Sequence, residues 1–177
     1  FSFPDYLRRT PRLNEILGVA GLLFVASQLS IVTILRHLGP QVVALQVSFT
    51  RKMFQTILLG WSPEDFARFQ AHFTLDVIHP FLYALFFSAA LAKLFNLNDI
   101  TDRYNMIIWA PVAAGLFDTV ENLIHISQLG NFFTTPVPMI LIASLAASLK
   151  WILSVGFTLT CLALWGRHLI RVKRASQ

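Results

Sequence analysis

Charged side chains interrupt two of the most apolar stretches of the chain. Lys150 lies near the middle of an otherwise uncharged stretch from Pro138 to Trp165, and Asp118 and Glu121 interrupt the preceding apolar stretch. A charged side chain is costly at bilayer depth, so such residues face a protein interior and pair with one another. The sequence therefore predicts a buried ionic cluster in which Lys150 neutralises the two carboxylates.

The acidic residues belong to a longer polar stripe. Asp118, Glu121, Asn122 and His125 are spaced at i, i+3, i+4 and i+7, which places them on one face of a helix. Interhelical ion pairs of this kind fix the register of packed helices. We therefore expect a structural ion cluster made of Lys150, Asp118, Glu121 and Asn122.

A second polar stripe precedes the first. His72, Asp76 and His79 are spaced at i, i+4 and i+7. At a helical rise of 1.5 Å per residue, Lys150 and Asp118 would lie about 16–18 Å from the outer end of the bundle, and His79 within about 6 Å of it. The sequence thus predicts a separate outer-layer polar cavity, formed by His72, Asp76, His79, Tyr83 and His125.

Several kinds of chemistry are compatible with these residue types. Carboxylate and imidazole ligands on two helices could hold iron, zinc or manganese, with Asp76, His79, Glu121 and His125 as the candidates. A complete di-iron pattern is absent, and Lys150 would compete for the same carboxylates. The sequence therefore assigns no metal or other cofactor, and bound lipids are expected.

Haem or chlorophyll, a proton relay, and lipid recognition remain open alternatives. His79 and His125 fall at similar depth on different helices and could act as axial ligands. Intramembrane carboxylates also serve in proton pathways. The sequence contains no Gly-rich phosphate loop, zincin motif or nucleophile elbow.

The composition indicates an integral membrane protein. Of 177 residues, 55% are hydrophobic and only 13% are charged, against about 25% charged residues in soluble domains. The single cysteine, Cys161, excludes an internal disulfide and a cysteine-rich metal site. The net charge of +5 comes from basic residues clustered at the two chain ends. Such clusters beside apolar spans indicate membrane topology or contact with anionic lipids rather than nucleic-acid binding.

The hydropathy pattern predicts an all-α, polytopic membrane domain covering residues 1–177. Four transmembrane helices are expected, and about twenty residues suffice for one crossing. An amphipathic, interfacial helical segment is expected between the first two spans, with helix starts at Thr50 and at Ser62-Pro63. The predicted spans are residues 16–35, 77–95, 106–129 and 138–164, and the interfacial segment is residues 41–76.

The basic residues also predict an orientation. Nine of the fourteen fall on one side of a four-span layout, four fall on the other side, and Lys150 lies within the membrane. The positive-inside rule then places both termini on the cytoplasmic, matrix or stromal side of a bacterial inner membrane or an organellar membrane.

A set of short motifs carries a resemblance over residues 41–165. The motifs are Leu45-Gln46, Trp61, Leu75-Asp76, Tyr83, Leu116-Phe117-Asp118, Glu121-Asn122-Leu123 and Lys150-Trp151. In these motifs the chain resembles small four-span integral membrane proteins of bacteria, a group with no established activity. The resemblance implies the four-span layout and the buried cluster of Asp, Asp-Glu-Asn and Lys.

The leading interpretation is a non-enzymatic accessory subunit. Small residues scattered along the first and fourth spans are typical of helix–helix contacts. We therefore expect the four-helix bundle to pack in a larger membrane assembly, with membrane lipids and other membrane-protein subunits, or further copies of itself, as partners. The alternative is a metal- or haem-binding membrane enzyme, or a proton or lipid carrier, that uses the outer-leaflet cavity.

Overall fold

A computed structural model describes residues 2–176, which form eight α-helices and no strand. The helices are α1 (Phe3–Arg9), α2 (Leu13–Leu35), α3 (Gly39–Gln46), α4 (Arg51–Leu59), α5 (Pro63–Asp76), α6 (His79–Leu97), α7 (Ala110–Ser127) and α8 (Val137–Ala175). Short 3-10 helices lie at Arg36–Leu38, Asp102–Trp109 and Phe132–Thr134. The all-α fold class is therefore confirmed.

Four helical segments are long and apolar enough to cross a membrane: Leu13–Gln46, His79–Leu97, Asp102–Ser127 and Val137–Ala175. The predicted number of candidate spans is confirmed. Their bounds differ from those expected from hydropathy, because a helix continues past the point where its side chains become polar.

The fourth span differs from its prediction mainly at its C-terminal end. Helix α8 continues to Ala175, whereas the predicted fourth span ends at residue 164. Its 39 residues extend for about 58 Å, roughly twice the hydrocarbon thickness. The first candidate span begins at Leu13 and continues through α3 to Gln46, beyond its predicted end at residue 35. In the other two spans, α6 covers His79–Leu97, and the predicted third span is divided between a 3-10 helix and α7.

The segment between the first two spans is more helical than expected. Gly39–Gln46 forms α3, although its residues show no clear apolar period. The two predicted helix starts are confirmed. The Thr50 side chain accepts a hydrogen bond from the backbone of Met53, and Ser62 forms a reciprocal capping box with Asp65.

The long helices pack in the order α2, α6, α7, α8. Helix α6 also contacts α8, whereas α2 and α8 make no extensive contact with each other. A close approach lets α7 pack tightly on α6: a Cβ atom added at Gly115 would lie 3.0 Å from the Pro80 carbonyl oxygen. The bundle is thus closed on three sides and less tightly closed between α2 and α8.

One end of the bundle gathers α1, the last turns of α8 and the connection between α6 and α7. Arg8 of α1 donates hydrogen bonds to Asn96, Asp102, Asn105 and the carbonyl of Ile100. At the same end, Arg171 of α8 forms a 2.8 Å ion pair with Asp99. Helices α3, α4 and α5 cover the opposite end, where Gln55 donates to the Phe133 carbonyl.

Candidate ligand-binding cavity

The predicted ion pairs between Lys150 and its two carboxylates are present. The Lys150 ammonium lies 3.0 Å from Asp118 Oδ1 and 2.7 Å from Glu121 Oε2. All three side chains are buried, and Glu121 is completely shielded. Asp118 and Glu121 are one turn apart on α7, so a single lysine on α8 reaches both of them.

Asn122 does not join this cluster. Its side-chain amide donates a 3.0 Å hydrogen bond to the backbone carbonyl of Asp76. The prediction that Asn122 belongs to the structural ion cluster is therefore wrong, because its side chain bonds to a backbone carbonyl and not to Lys150, Asp118 or Glu121. Asn122 instead ties α7 to the last residue of α5, where the chain turns towards α6.

His125 also lies elsewhere than predicted. It does not line the cavity described below, and its ring stacks on Phe54 of α4 at a centroid distance of 6.3 Å. Its Nε2 atom is 3.8 Å from Glu121 Oε1. The helical stripe was expected to keep His125 in the outer cavity, but α4 covers that part of α7. Sequence spacing alone cannot show this coverage.

His72 and Asp76 form a pair at the end of α5. His72 Nδ1 is hydrogen-bonded to the Phe69 carbonyl, and its Nε2 atom lies 3.6 Å from Asp76 Oδ2. Both ring nitrogens of His72 thus face hydrogen-bond acceptors. Burial opposes ionisation of Asp76, but the neighbouring His72 and the charge of Lys150 outweigh it and lower the pKa of this carboxyl below its usual value.

His79 is hydrogen-bonded to Ser27 of α2. The Ser27 hydroxyl oxygen lies 2.8 Å from the Phe24 carbonyl oxygen and 2.8 Å from His79 Nδ1. When the hydroxyl donates to Phe24, His79 Nδ1 donates to the Ser27 oxygen, and when the hydroxyl donates to His79, Nδ1 accepts. In both arrangements the pair joins α2 to the start of α6 beside the cavity.

These polar groups line a single cavity of about 410 Å³. Lys150 and Asp118 line it together with His72, Asp76, His79 and Tyr83. The prediction that the ion cluster and the outer layer are separate is therefore wrong. The helix is interrupted between α5, which ends at Asp76, and α6, which begins at His79. This interruption places Asp76 and His79 beside the same cavity as Asp118.

The walls of the cavity are largely apolar. They include Phe24, Ile31 and Leu35 of α2, Val42 of α3, and Phe157 of α8. Val32, Val43 and Trp151 line the same cavity and are 54%, 44% and 42% exposed. These three side chains mark a mouth between α2, α3 and α8, on the side where α2 and α8 are not packed together.

A hydrogen bond borders this mouth. Trp151 Nε1 donates to Gln46 Oε1 at 3.2 Å and so connects α8 to α3. Sequence reasoning did not assign Gln28, Gln46 or Trp151 to the site, although Gln46 and Trp151 both belong to the motifs of the resemblance. Gln28 and Gln46 are polar residues within apolar segments, and this was the signal available for them.

The Tyr83 hydroxyl is a buried group without a hydrogen bond. Tyr83 is 7% exposed and lines the cavity. Its hydroxyl faces the Asp118 carboxylate, but the geometry falls outside that of a hydrogen bond. A buried hydroxyl without a partner is costly, so Tyr83 is suited to contact a polar group placed in the cavity.

The four metal candidates are divided between two places. Asp76 and His79 line the cavity, whereas Glu121 and His125 do not. Within residues 2–176, no three His, Cys, Asp or Glu side chains are grouped as the ligands of a metal ion would be.

Comparisons with protein-family models, with curated proteins and with solved structures gave no match to this chain. The functional interpretation accordingly rests on the geometry of the cavity.

Proposed function

We propose that this chain is an integral membrane protein that binds an amphipathic molecule taken from the bilayer. The four apolar helical segments cross the membrane, and both termini lie on the cytoplasmic, matrix or stromal side. The apolar part of the ligand lies between α2, α3 and α8. Its polar part contacts the side chains around Asp118.

The observation that carries this proposal is the change in polarity from the mouth of the cavity to its interior. Three of the exposed lining residues, Val32, Val43 and Trp151, have largely apolar side chains, and the fourth is the cation Arg36. The buried lining residues include Asp118 and Lys150. A ligand that enters past Val32, Val43 and Trp151 therefore meets apolar side chains before it reaches the buried charges. An amphiphile has a matching arrangement, with an apolar chain for the mouth of the cavity and a polar head group for its interior.

The size and position of the cavity support the same function. Its volume of about 410 Å³ is within the range of about 300–1,000 Å³ for small-molecule sites. The mouth opens between helices that are apolar enough to face lipid. A molecule dissolved in the bilayer reaches such an opening by lateral diffusion, without passing through water.

The accessory-subunit interpretation stays a prediction. Many large apolar side chains are exposed on α2 and α8, and a lipid-facing surface accounts for them as well as a partner subunit does. The cavity, in contrast, combines charged and apolar residues that neither a lipid-facing surface nor a packing interface requires.

Photolabelling tests the proposal. A long-chain alcohol that carries a diazirine is incorporated into phosphatidylcholine nanodiscs with the protein, and labelled peptides are mapped by mass spectrometry. We expect labels on the lining segments of α2 and α8. The substitution Ser154→Trp fills the cavity with a bulky side chain and should abolish these labels.

The neighbouring substitution Val155→Trp is the control. Val155 is 56% exposed and does not line the cavity, so the labels should persist in this variant. Equal labelling of all lipid-facing segments, unchanged by Ser154→Trp, would contradict the proposal.

A further inference from the structure

The formal charges that line the cavity balance. Within the described chain, the acidic and basic side chains of the lining are those of Asp76, Asp118, Lys150 and Arg36. They give two negative and two positive charges. Counting Glu121, which contacts Lys150 from outside the lining, together with a protonated His72, which contacts Asp76, leaves the sum unchanged. The lining therefore offers no excess charge that would select an ionic head group of either sign.

The buried end of the cavity presents both hydrogen bond donors and acceptors. Lys150 directs two of its three ammonium protons to Asp118 and Glu121, so one proton remains. Each carboxylate oxygen accepts more than one hydrogen bond, so Asp76 and Asp118 keep acceptor capacity. An amine donates only and a carboxylate accepts only, whereas a hydroxyl group does both.

The Tyr83 hydroxyl is a further polar group at this end of the cavity. It is buried and has no hydrogen bond partner among residues 2–176. One ligand hydroxyl has a single proton and can donate to only one of the two carboxylates. Two adjacent hydroxyls can donate to Asp76 and Asp118 separately, and their oxygens can still accept from Tyr83 and Lys150.

From these observations we infer that the preferred ligand is an amphiphile whose uncharged head group carries two adjacent hydroxyls. The inference rests on the proposed function, since it names the ligand class for the same cavity. The two hydroxyls lie between Asp76, Asp118 and Tyr83, and the apolar chain extends from them towards the mouth. The head group brings no charge into a lining that is already balanced.

Competition against the diazirine probe tests the ligand class. Dodecane-1,2-diol, dodecanol, dodecylamine and dodecanoate share one chain length and differ in the head group. Each is added to the unmodified protein in phosphatidylcholine nanodiscs at neutral pH, and its mole fraction in the bilayer is measured so that partitioning does not enter the comparison. We expect the diol to displace the probe at a mole fraction about tenfold lower than dodecanol, as one additional hydrogen bond to a charged group would give. The amine and the carboxylate should both compete less well than the diol.

A methyl ether of the diol tests the number of donors. In 2-methoxydodecan-1-ol one hydroxyl proton is replaced by a methyl group, so only one of the two carboxylates can receive a hydrogen bond. We expect this compound to compete like dodecanol. The comparison uses the unmodified protein and therefore does not depend on the folding of any variant.

The variant Tyr83→Phe tests the position of the head group. It removes a hydroxyl that makes no hydrogen bond in the described part of the chain, so the thermal stability of the ligand-free protein should not fall. The advantage of the diol over dodecanol should decrease severalfold. Tyr6→Phe removes the same atom at a position that is 47% exposed and does not line the cavity, and it should leave the advantage unchanged.

The outcomes separate the two proposals. Equal competition by the diol and dodecanol, equal competition by the diol and its methyl ether, or strongest competition by the amine or the carboxylate overturns the inference about the diol. An advantage of the diol that is undiminished in Tyr83→Phe overturns it as well. In each of these cases the cavity remains an amphiphile site as long as Ser154→Trp abolishes the labels. Failure of every competitor, together with probe labelling that Ser154→Trp does not change, overturns both proposals.

Discussion

Lys150 of α8 and Glu121 of α7, 29 positions apart in sequence, form a 2.7 Å ion pair in the interior of the bundle. Glu121 is completely shielded from solvent, and its second carboxylate oxygen has no hydrogen bond in the described part of the chain. Lys150 is thus the main compensation for a carboxylate that is costly to bury.

Replacement of Lys150 by methionine should strongly destabilise the protein. The substitution keeps the side-chain volume but leaves Asp118 and Glu121 buried without their counter-charge. We expect a loss of about 3–5 kcal/mol in the free energy of unfolding, measured by denaturant unfolding in detergent.

Two controls accompany this variant. Lys93→Met, on α6 and outside the cluster, should have a small effect. The triple variant Lys150→Met, Asp118→Asn and Glu121→Gln removes all three charges together and should recover part of the lost stability. If Lys150→Met is as stable as the unmodified protein, the two ion pairs do not stabilise the bundle.

Gly115→Ala should weaken the packing of α7 on α6. The added Cβ atom would lie 3.0 Å from the Pro80 carbonyl oxygen and 3.4 Å from Ala84 Cβ, so one backbone must shift. A cost of about 1–3 kcal/mol is expected for overpacking of this kind. Gly156→Ala on α8 is the control, since no atom lies within 4 Å of its added Cβ. Similar thermal stabilities of the two variants would be evidence against close contact between α6 and α7.

Arg8→Lys should loosen the attachment of α1. The Arg8 guanidinium donates to Asn96, Asn105, Asp102 and a backbone carbonyl, and its side chain is only 12% exposed. A lysine cannot reproduce this planar set of donors, and we expect a loss of about 2 kcal/mol. Hydrogen exchange of the α1 amides provides the measurement. Arg9→Lys, at a position with a 64% exposed side chain, should leave the exchange of α1 unchanged.

Acidification should loosen the start of α5. Hydrogen bonds from the backbone and side chain of Ser62, with a smaller contribution from His37, lower the pKa of Asp65. Because the folded-state pKa is the lower one, this contribution to stability is present above the usual carboxyl pKa and is lost as the pH falls through the folded-state value. Asp65→Asn should remove this pH dependence. Hydrogen exchange at the start of α5 that responds equally to acid in both proteins would contradict the role of Asp65.

The sequence was most informative where one residue type has one physical explanation. Lys150 in an apolar stretch requires acidic partners, and depth along the helices identified Asp118 and Glu121 correctly. Ser62 followed by Pro63 and Asp65 is a helix start for local reasons, and the structure has the capping box there. Such inferences need only the residue and its neighbours in sequence.

The cavity itself could not be predicted, because it depends on how separate segments are arranged. His125 lies on the same helical face as Glu121, but α4 covers His125. The spacing of residues within α7 cannot predict a contact with a different helix. Depth along ideal helices also separated Asp76 from Asp118. The break between α5 and α6 brings both residues to one cavity, and only the tertiary arrangement shows the gap between α2 and α8.

Fluorescence of Trp151 gives the most direct test of the binding cavity, because this side chain lies at the mouth. The difference in fluorescence between the unmodified protein and Trp151→Phe isolates the signal of this tryptophan. A long-chain alcohol brominated on its chain is then titrated into nanodiscs that contain each protein. A cavity that binds the amphiphile predicts quenching of Trp151 that saturates at low mole fraction and disappears when Ser154→Phe fills the cavity without adding a tryptophan. Quenching that rises in proportion to the brominated alcohol in the bilayer, and is the same in Ser154→Phe, would contradict the proposed cavity.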